Sequence, residues 1–218
     1  MSKQIFITGT NTEVGKTHIG LELLKSLSLK YNCIAYKPIE TGCRSKNNKL
    51  IPSDSQKYEK LIGDKVSLEK INPYRFIPPV SPYKAIKDAK KKIYIKNYCE
   101  KIKNLPKAEI ILIEGAGGAF SPLATDGLNI DLMKALKSIN ILVIKDQLGC
   151  IGNTISHILA FERLKISLDI LILNTINPNK MDNYDEIRKY TNIPLFHYNK
   201  KQKSVFLKKV FKKIASFL

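Results

Sequence analysis

Short apolar runs recur along the chain without alternating with polar residues. They are IFIT at 5–8, CIAY at 33–36, IILI at 110–113, ILVI at 141–144, ILIL at 170–173 and, more weakly, IPLF at 193–196. Unbroken runs of Ile, Leu and Val that last only a few residues are typical of strands buried on both faces of a sheet. The pattern therefore predicts a sheet whose strands lie inside the protein.

Amphipathic segments occupy the intervals between these runs. They lie at 16–30, 54–62, 95–105, 128–138, 151–164, 182–191 and 203–217, and a proline-bearing stretch at 72–85 (NPYRFIPPVSPYKA) is predicted to be a long loop. Strands that alternate with helices form a mostly parallel sheet flanked by helices. We therefore predict an α/β fold, built as one domain over residues 1–218. Functional residues are expected just after the apolar runs, because such sheets bind ligands beyond the carboxyl ends of their strands.

Composition narrows the class of protein. With 218 residues, of which 44% are hydrophobic, the chain can bury a substantial core. No apolar stretch approaches the roughly 18 residues of a membrane span, and the N-terminal run is too short for a signal peptide. Cys33, Cys43, Cys99 and Cys150 form no CxxC pair. We expect a cytoplasmic protein with reduced thiols, no zinc site and no membrane partner.

The chain carries a formal net charge of +18, which raises the question of a nucleic-acid partner. The lysines are spread from Lys3 to Lys213, and of the 37 basic residues only four are arginine. No aromatic-rich RNA-binding motif or zinc-finger pattern accompanies them. We interpret the charge as a solvated, lysine-rich surface and expect no nucleic-acid partner.

The first apolar run leads into GTNTEVGKT at 9–17, which is followed by the first predicted helix. A strict GxxxxGK[ST] loop needs glycine at position 10, where this chain has Thr10, and the nearest glycine is Gly9. The other elements are present: backbone N–H groups at a helix start bind anions, Lys16 reaches the β- and γ-phosphates, and the Thr17 hydroxyl can ligate Mg²⁺. The segment predicts a nucleoside triphosphate site within a three-layer sandwich like that of P-loop NTPases.

Carboxylates are expected to complete this site. Glu114 directly follows the run at 110–113 and precedes the glycines of IEGAGG, an arrangement that resembles a Walker B strand. Asp54, in PSDSQ, allows two interpretations: a further carboxylate of the site, or the N-cap of the helix predicted at 54–62. The spacing by itself favours the cap.

Lys37 directly follows the second apolar run, in YKPIETG at 36–42. By itself, a lysine at a strand end would be interpreted as a solvated surface residue. Together with Lys16 and Glu114 it predicts a second ammonium group beside the γ-phosphate. Two such groups suit transfer of the phosphoryl group to an acceptor that is itself anionic, because they offset the repulsion between the two anions.

Five segments occur in the order and spacing of the dethiobiotin synthetase family, and the chain resembles that family from residue 3 to about residue 175. The segments are GTNTEVGKT, YKPIETG, NPYRF with the prolines after it, IEGAGG and LGCI. The resemblance implies a homodimeric ligase of biotin biosynthesis that uses ATP and Mg²⁺ to form dethiobiotin from 7,8-diaminononanoate and CO₂. In that reaction the substrate takes up CO₂ as a carbamate, the γ-phosphate passes to the carbamate, and the second amine displaces phosphate as the ring closes.

The resemblance also implies roles for individual residues. The catalytic residues would be Lys37, Lys16 and Glu13, and the Mg²⁺ ligands would be Thr17, Asp54 and Glu114. Nucleotide contacts are implied for Glu13, Val14, Gly15, Lys16, Thr17, His18, Asp54, Glu114, Gly115, Ala116, Gly117, Asn174 and Thr175. Substrate contacts are implied for Thr41, Gly117 and Gly118 and, at a helix start of the neighbouring subunit, for Gly149, Cys150, Ile151, Gly152 and Asn153.

The chain departs from the family pattern at three places. Gly152 and Asn153 stand where the family often has Asn-His, so backbone N–H groups are expected to hold the substrate carboxylate. Tyr83 replaces a usual His, and a GEIP-like stretch near the base is missing, since PLFHYNKKQKS occupies 194–204. Because an Asn amide both donates and accepts, Asn174 alone can pair with either purine. We therefore expect weak purine discrimination, with GTP also supporting the reaction.

Two other classes of protein remain open. A partition-type switch ATPase would share the loop and the basic charge, but that class carries a signature lysine at the place of Asn11 and usually glycine at the place of Glu13. A different ATP-dependent amidoligase of the same fold usually carries an additional glutamine-amidotransferase domain, for which 218 residues leave no room. The interpretation as a dethiobiotin-forming ligase is favoured.

Overall fold

The computed structural model describes residues 2–175 and 181–218. The strands in these ranges are β1 (Lys3–Gly9), β2 (Cys33–Tyr36), β3 (Ile39–Glu40), β4 (Arg44–Lys46), β5 (Lys49–Ile51), β6 (Tyr74–Arg75), β7 (Ile110–Glu114), β8 (Ile139–Lys145), β9 (Ile170–Thr175) and β10 (Leu195–Asn199). The α-helices are α1 (Lys16–Leu27), α2 (Ser53–Ile62), α3 (Leu68–Ile71), α4 (Pro82–Asp88), α5 (Ile95–Lys103), α6 (Asn129–Leu136), α7 (Cys150–Arg163), α8 (Tyr184–Arg188) and α9 (Lys203–Ala215).

The central sheet has the strand order β10-β9-β8-β1-β7-β2, and each pair of neighbours is parallel. The predicted α/β fold with a parallel sheet is confirmed. β1 lies in the interior of the sheet, and its residues Ile5, Phe6 and Ile7 are fully buried. Both faces of the strand are covered, which explains why its sequence lacks the alternation of a half-exposed strand.

Helices pack along the sheet in groups. α1 contacts β1, β2 and β7 and has α2 and α9 as neighbours, whereas α5 lies beside α6 and α7 beside α8. Ile19, Leu23 and Leu24 recur at helical spacing in α1 and are all buried. This apolar stripe anchors α1 to the sheet. The helix that carries the phosphate-binding sequence at its start is therefore firmly attached to the core.

Two small pieces of sheet were not predicted from the sequence. β3 pairs in parallel with β6, and β4 pairs with β5 as an antiparallel hairpin. The hairpin turn is formed by Asn47 and Asn48, whose φ angles of 49° and 58° suit Asn better than most residues. Because β6 and the beginning of α4 fall within 72–85, the prediction of a long loop there was wrong in part.

The last predicted elements are shifted or shortened. The final strand was predicted at 193–196, but β10 begins at Leu195. Pro194 has no N–H to contribute to a strand ladder, although its carbonyl accepts from the Leu171 N–H at 2.9 Å. The helix predicted at 182–191 is limited to α8. Among the described residues, no helix has the length and apolar character needed to cross a membrane.

The sheet brings three functional segments to one edge. β2, β7 and β1 are successive neighbours and parallel, so their carboxyl ends lie side by side. Lys37 follows β2, Glu114 ends β7, and the segment at 9–17 follows β1. Residues that are distant in sequence therefore meet beyond the ends of these strands, as expected for a sheet of this kind.

Candidate active site

The phosphate loop, residues 9–17, connects β1 to α1. Gly15 precedes the helix with a φ of 94°, a left-handed conformation that glycine adopts without strain. Glycine offers no side chain to cap the helix, and an α-helix leaves its first N–H groups without partners of its own. Together with the helix dipole, these N–H groups form an anion-binding site.

Glu13 of this loop also has a left-handed backbone, with a φ of 57°. In a residue that carries a Cβ, this conformation costs on the order of 1–2 kcal/mol. Strained residues of this kind cluster where ligands bind. The side chain of Glu13 is exposed and lines the same cleft as Lys16.

Lys16, the first residue of α1, turns back over the loop. Its Nζ donates to the carbonyl of Asn11 at 2.9 Å, and the residue is only 8% exposed. Burial, and after it the positive charge of Lys37, lower the pKa of Lys16 to about 8. An anionic ligand would offset both effects, so Lys16 is well placed to bind a polyphosphate.

Glu114, the last residue of β7, is the centre of a hydrogen-bond network. The residue is 1% exposed. Its Oε1 accepts from the Thr17 hydroxyl at 2.9 Å and from Lys37 Nζ at 2.5 Å, while its Oε2 accepts from the Tyr58 hydroxyl at 2.7 Å. A carboxylate that has lost its hydration needs such partners. Each oxygen of Glu114 is thus satisfied by a different set of donors.

Lys37 is the second buried ammonium of the site. Its Nζ lies 2.5 Å from Glu114 Oε1 and 3.8 Å from Asp54 Oδ2. Burial by itself would lower the pKa of Lys37, but Glu114 and then Asp54 outweigh burial and raise this pKa above the ordinary lysine value. Lys37 therefore stays positively charged in the interior of the cleft.

Asp54 is not the N-cap of α2, so the interpretation favoured by its spacing is wrong. The N-cap position belongs to Pro52, and α2 begins at Ser53. The Asp54 carboxylate instead lies 3.8 Å from Lys37 Nζ and 3.1 Å from Lys57 Nζ. Burial acts to raise the pKa of Asp54, but Lys37 and then Lys57 outweigh burial and lower it. Asp54 therefore presents a charged carboxylate to the cleft.

Glu40 performs the capping that the spacing had suggested for Asp54. From β3 it reaches the start of α2, where Oε1 accepts from the Asp54 N–H at 2.9 Å and Oε2 accepts from the Ser55 N–H at 3.0 Å and the Ser55 hydroxyl at 2.7 Å. A carboxylate at this position is also favoured by the helix dipole. Sequence reasoning missed Glu40 because a cap supplied from another segment leaves no local pattern.

Many of the residues described so far, though not Tyr58, Ser55 or Lys57, line one cleft of about 330 Å³. Those predicted from the sequence are Glu13, Gly15, Lys16, Thr17, Lys37, Thr41, Asp54, Glu114, Ala116 and Gly117. The lining also includes Thr12, Ile39 and Glu40. The predicted catalytic and metal-binding residues therefore lie together in the structure.

Thr17, Asp54 and Glu114 form a donor set that fits Mg²⁺. They provide one hydroxyl and two carboxylates to the same cleft. Hard oxygen ligands are those that Mg²⁺ prefers, and Mg²⁺ usually completes its coordination with water and with phosphates of the substrate. The chemistry of these side chains suits an ion that arrives with a nucleotide.

Val14 and His18, which were also implied at the nucleotide, direct their side chains away from the cleft. Val14 is buried in the core. The Nε2 of His18 shares a hydrogen bond of 2.6 Å with the Tyr198 hydroxyl. Any contact of these two residues with phosphate would use their backbone N–H groups, which lie in the loop and the first turn of α1.

Asn129, the first residue of α6, holds the glycine-rich segment after β7 and was not predicted. Its Nδ2 donates to the carbonyls of Ala116 at 2.8 Å and Gly118 at 2.9 Å, and its Oδ1 accepts from the Ala116 N–H at 3.2 Å. A Cβ on Gly115 would collide with this amide. The backbone N–H and C=O groups of a buried glycine-rich loop need hydrogen-bond partners. This requirement is the signal from which a nearby Asn could have been predicted.

Asn174 and Thr175 end β9. The Asn174 Nδ2 donates to the Val14 carbonyl of the phosphate loop at 2.8 Å, and its buried Oδ1 has no hydrogen-bond partner within the described ranges. The Thr175 hydroxyl shares a hydrogen bond of 2.8 Å with His197 Nε2. One N–H of the Asn174 amide is therefore committed to the loop, whereas its second N–H and its acceptor oxygen remain.

The residues implied on a neighbouring subunit lie outside the cleft. α7 begins after Gly149, whose φ is 83°. A Cβ added at Gly149 or Gly152 would meet nothing within 4 Å, and Leu148 is 85% exposed. Within the part of the chain that the structure describes, residues 149–153 do not contribute to the cleft lining. This helix start is not part of the cleft described above.

Solved structures share this fold. The chain is similar to a plasmid partition protein from Borrelia burgdorferi, with a TM-score of 0.62, 16% identity and coverage of 97% of this chain and 99% of the other. It is also similar to the cell division ATPase MinD of Pyrococcus furiosus, with a TM-score of 0.59, 14% identity and full coverage of both chains. At these identities the likeness concerns the fold alone. Fold and phosphate loop together define a P-loop NTPase-like α/β protein.

Sequence comparison specifies the family within that class. A family model described as an AAA domain matches residues 3–197. The ATP-dependent dethiobiotin synthetase of Vesicomyosocius okutanii is 34% identical over 96% of both chains, and that of Ruthia magnifica is 32% identical over 96% of this chain and 97% of its own. The chain belongs to the dethiobiotin synthetase family, and the resemblance noted in its motifs is confirmed.

Proposed function

We propose that the chain uses ATP to close the cyclic urea of dethiobiotin from 7,8-diaminononanoate and CO₂. The observation that carries this proposal is the pair of buried ammonium groups, Lys16 and Lys37, in one cleft with Glu114. Two positive charges stabilise both a transferred phosphoryl group and an anionic acceptor. A carbamate is such an acceptor. The names of the relatives support the identity of the product.

The proposed reaction has three balanced steps. One amine of the substrate adds to CO₂ and loses a proton, which yields the carbamate. An oxygen of the carbamate attacks the γ-phosphorus while ADP leaves, which yields a carbamic–phosphoric anhydride. The second amine then attacks the carbamoyl carbon and loses a proton, inorganic phosphate leaves that carbon, and the five-membered urea closes.

Side chains of the cleft have distinct tasks in this scheme. Lys37 neutralises the carbamate and Lys16 neutralises the γ-phosphate, so each anion meets its own counter-charge. Glu13 lies beside the reacting groups at the strained turn of the loop. Thr41 contributes a hydroxyl to the diamine, and the backbone around Gly117 approaches both ligands.

Thr17, Asp54 and Glu114 would hold Mg²⁺ in the proposed enzyme. The ion would supply additional positive charge to the β- and γ-phosphates. The Thr17 hydroxyl is held toward this position by its bond to Glu114 Oε1 at 2.9 Å. The remaining ligands would be phosphate oxygens and water.

We also propose a homodimer in which α7 of one protomer completes the substrate site of the other. Two observations support this arrangement: the helix start has open space at Gly149 and Gly152, and it lies outside the cleft of its own chain. Its backbone N–H groups suit the carboxylate of diaminononanoate. The partners of the chain would thus be a second copy and the small molecules of the reaction.

Product analysis tests the proposed function. The protein is incubated with diaminononanoate, ATP, Mg²⁺ and isotopically labelled bicarbonate, and the expected result is labelled dethiobiotin with one ADP and one phosphate for each ring closed. A reaction without the diamine serves as the control for simple hydrolysis. ATP hydrolysis that is indifferent to the diamine but stimulated by DNA would instead favour a partition-type switch ATPase.

A further inference from the structure

Tyr58, on α2, has no task in the proposed reaction, yet it touches the site directly. It is 1% exposed, and its hydroxyl donates to Glu114 Oε2 at 2.7 Å. A carboxylate oxygen only accepts, so the Tyr58 hydroxyl is the donor in this bond.

The two oxygens of Glu114 have different partners because of Tyr58. Oε2 is held by the phenol, whereas Oε1 meets Lys37 and the Thr17 hydroxyl of the phosphate loop. A carboxylate with a bond on only one oxygen can rotate about its last single bond. With both oxygens engaged in this buried position, its plane is fixed.

The hydroxyl of Tyr58 is also confined from the side of α1. A Cβ added at Gly20 would overlap the Tyr58 hydroxyl oxygen, so glycine at this position leaves the space that the phenol occupies. Gly20 lies one turn beyond the phosphate loop on the same helix. Packing against α1 and the hydrogen bond to Glu114 thus hold the hydroxyl at one position relative to the phosphate loop.

We propose that Tyr58 is a positioning residue whose hydroxyl orients the Glu114 carboxylate so that Oε1 faces the metal that accompanies the nucleotide. The inference rests on the proposed assignment of Glu114 as a Mg²⁺ ligand. Partners that orient a metal ligand commonly change metal affinity by about 10- to 100-fold when they are removed. Tyr58 acts through Glu114 and touches no reacting atom.

Mn²⁺ binding tests the inference without any turnover. The dissociation constant of Mn²⁺ is measured by electron paramagnetic resonance in the presence of a non-hydrolysable ATP analogue. We expect Tyr58→Phe, which removes only the hydroxyl, to weaken Mn²⁺ binding by about 10- to 100-fold. Tyr98→Phe is the matched control, because Tyr98 is equally buried and donates its hydroxyl to the Leu123 carbonyl at 2.8 Å, away from the cleft.

The control separates positioning from general stability. Both variants lose one buried hydroxyl bond, so both should lower Tm to a similar degree, but only Tyr58→Phe should alter Mn²⁺ affinity. In turnover assays, Tyr58→Phe should raise the Mg²⁺ concentration for half-maximal rate while kcat at saturating Mg²⁺ stays within a few-fold of the wild type. An Mn²⁺ affinity for Tyr58→Phe within twofold of that for Tyr98→Phe would overturn the inference.

A second variant approaches the hydroxyl from the opposite side. Gly20→Ala displaces the Tyr58 phenol without changing its chemistry, and we expect this variant to bind Mn²⁺ more weakly than the wild type. Adding Tyr58→Phe to Gly20→Ala should then cost less Mn²⁺ affinity than adding Tyr58→Phe to the wild type. Strict additivity of the two effects would contradict the proposal. Absence of Mn²⁺ binding by the wild type would reject the metal assignment and this inference together, whereas equal binding by the wild type and Tyr58→Phe rejects the inference alone.

Discussion

Two helices of this protein begin in the same way but in different surroundings. α1 and α7 follow neighbouring strands of the sheet, β1 and β8, and each begins after a glycine with a left-handed backbone, Gly15 at a φ of 94° and Gly149 at a φ of 83°. Neither helix has an acidic residue in its first turn. Both starts therefore present first-turn backbone N–H groups to an anion, although the Cys150 N–H of α7 already donates to the Gln147 carbonyl at 3.1 Å.

The surroundings decide what each helix start can bind. The start of α1 lies in a cleft with the buried ammonium groups of Lys16 and Lys37, whereas the glycines at the start of α7 face open space. A helix terminus alone favours an anion by about 0.3–1 kcal/mol, and desolvated charges add considerably more. The start of α1 therefore has its counter-charges within the same chain, whereas the start of α7 has open space beside its glycines.

The largest effect is expected when the Lys16 ammonium group, which distinguishes the start of α1 from that of α7, is removed. Lys16→Ala should reduce turnover by about 10²–10³-fold, because the variant loses a charge beside the phosphate that moves. Steady-state kinetics and nucleotide titration measure the change. Lys25→Ala, an exposed lysine in the last turn of the same helix, is the control and should behave like the wild type. Near-normal turnover by Lys16→Ala would mean that the α1 start is not the catalytic anion site.

The next effect concerns the carboxylates that α1 faces and α7 lacks. Glu114→Gln and Asp54→Asn should each raise the Mg²⁺ concentration for half-maximal activity by about 10- to 100-fold, because a neutral amide is a poorer ligand for a hard cation. Glu69→Gln, whose side chain is 76% exposed, serves as the control. An unchanged Mg²⁺ requirement in Asp54→Asn would remove Asp54 from the metal site.

A smaller effect is expected on the choice between ATP and GTP, whose base is proposed to lie near Asn174. With one N–H of Nδ2 donating to the Val14 carbonyl, the Asn174 amide keeps its second N–H as a donor and Oδ1 as an acceptor. The acceptor suits the 6-amino group of adenine, and the donor suits the 6-oxo group of guanine. We therefore expect kcat/KM for ATP and for GTP to differ by no more than about 10-fold, the value of one hydrogen bond. A preference for ATP beyond roughly 10⁴, the range of strict polar readout, would contradict this expectation.

The smallest effect tests whether α7 serves the second protomer. Gly152→Leu adds a side chain where the protomer has open space, so Tm should stay constant or rise, since Gly is the poorer helix former by up to about 1 kcal/mol. KM for diaminononanoate should nevertheless rise roughly fivefold, because the new side chain crowds the proposed shared site at a cost of about 1 kcal/mol. Ser204→Leu, at an exposed position near the start of α9, is the control. An unchanged KM would argue against the shared site.

The fold was largely predictable because its strands are buried on both faces. Runs such as 110–113 and 170–173 lie inside β7 and β9, since continuous burial produces a continuous apolar pattern. The short strands β3 and β6 have two residues each, and each directly follows a proline, so no period can develop in them. The last strand was predicted to begin too early, because Pro194 is apolar but has no N–H to donate to a neighbouring strand.

The site was predictable where its residues belong to one short motif or directly follow a predicted strand. Lys16 and Thr17 occur in one motif, and Glu114 and Lys37 follow strands directly, so their convergence follows from the topology of the sheet. Tyr58 was not predictable. Its hydroxyl meets Glu114 across 56 positions of the chain, and a tyrosine on the apolar face of a helix is ordinarily a core residue.

Glu40 has a consequence for how this family can change over generations. Its carboxylate ties the segment that carries Thr41 to the start of α2, where the acceptor of the Ser55 N–H and hydroxyl is Glu40 Oε2 at 3.0 and 2.7 Å. Loss of Glu40 alone would leave these donors buried without an acceptor, and loss of Ser55 alone would remove a bond from a buried charge. Positions 40 and 55 are therefore expected to be replaced together in related chains, as an inherited pair.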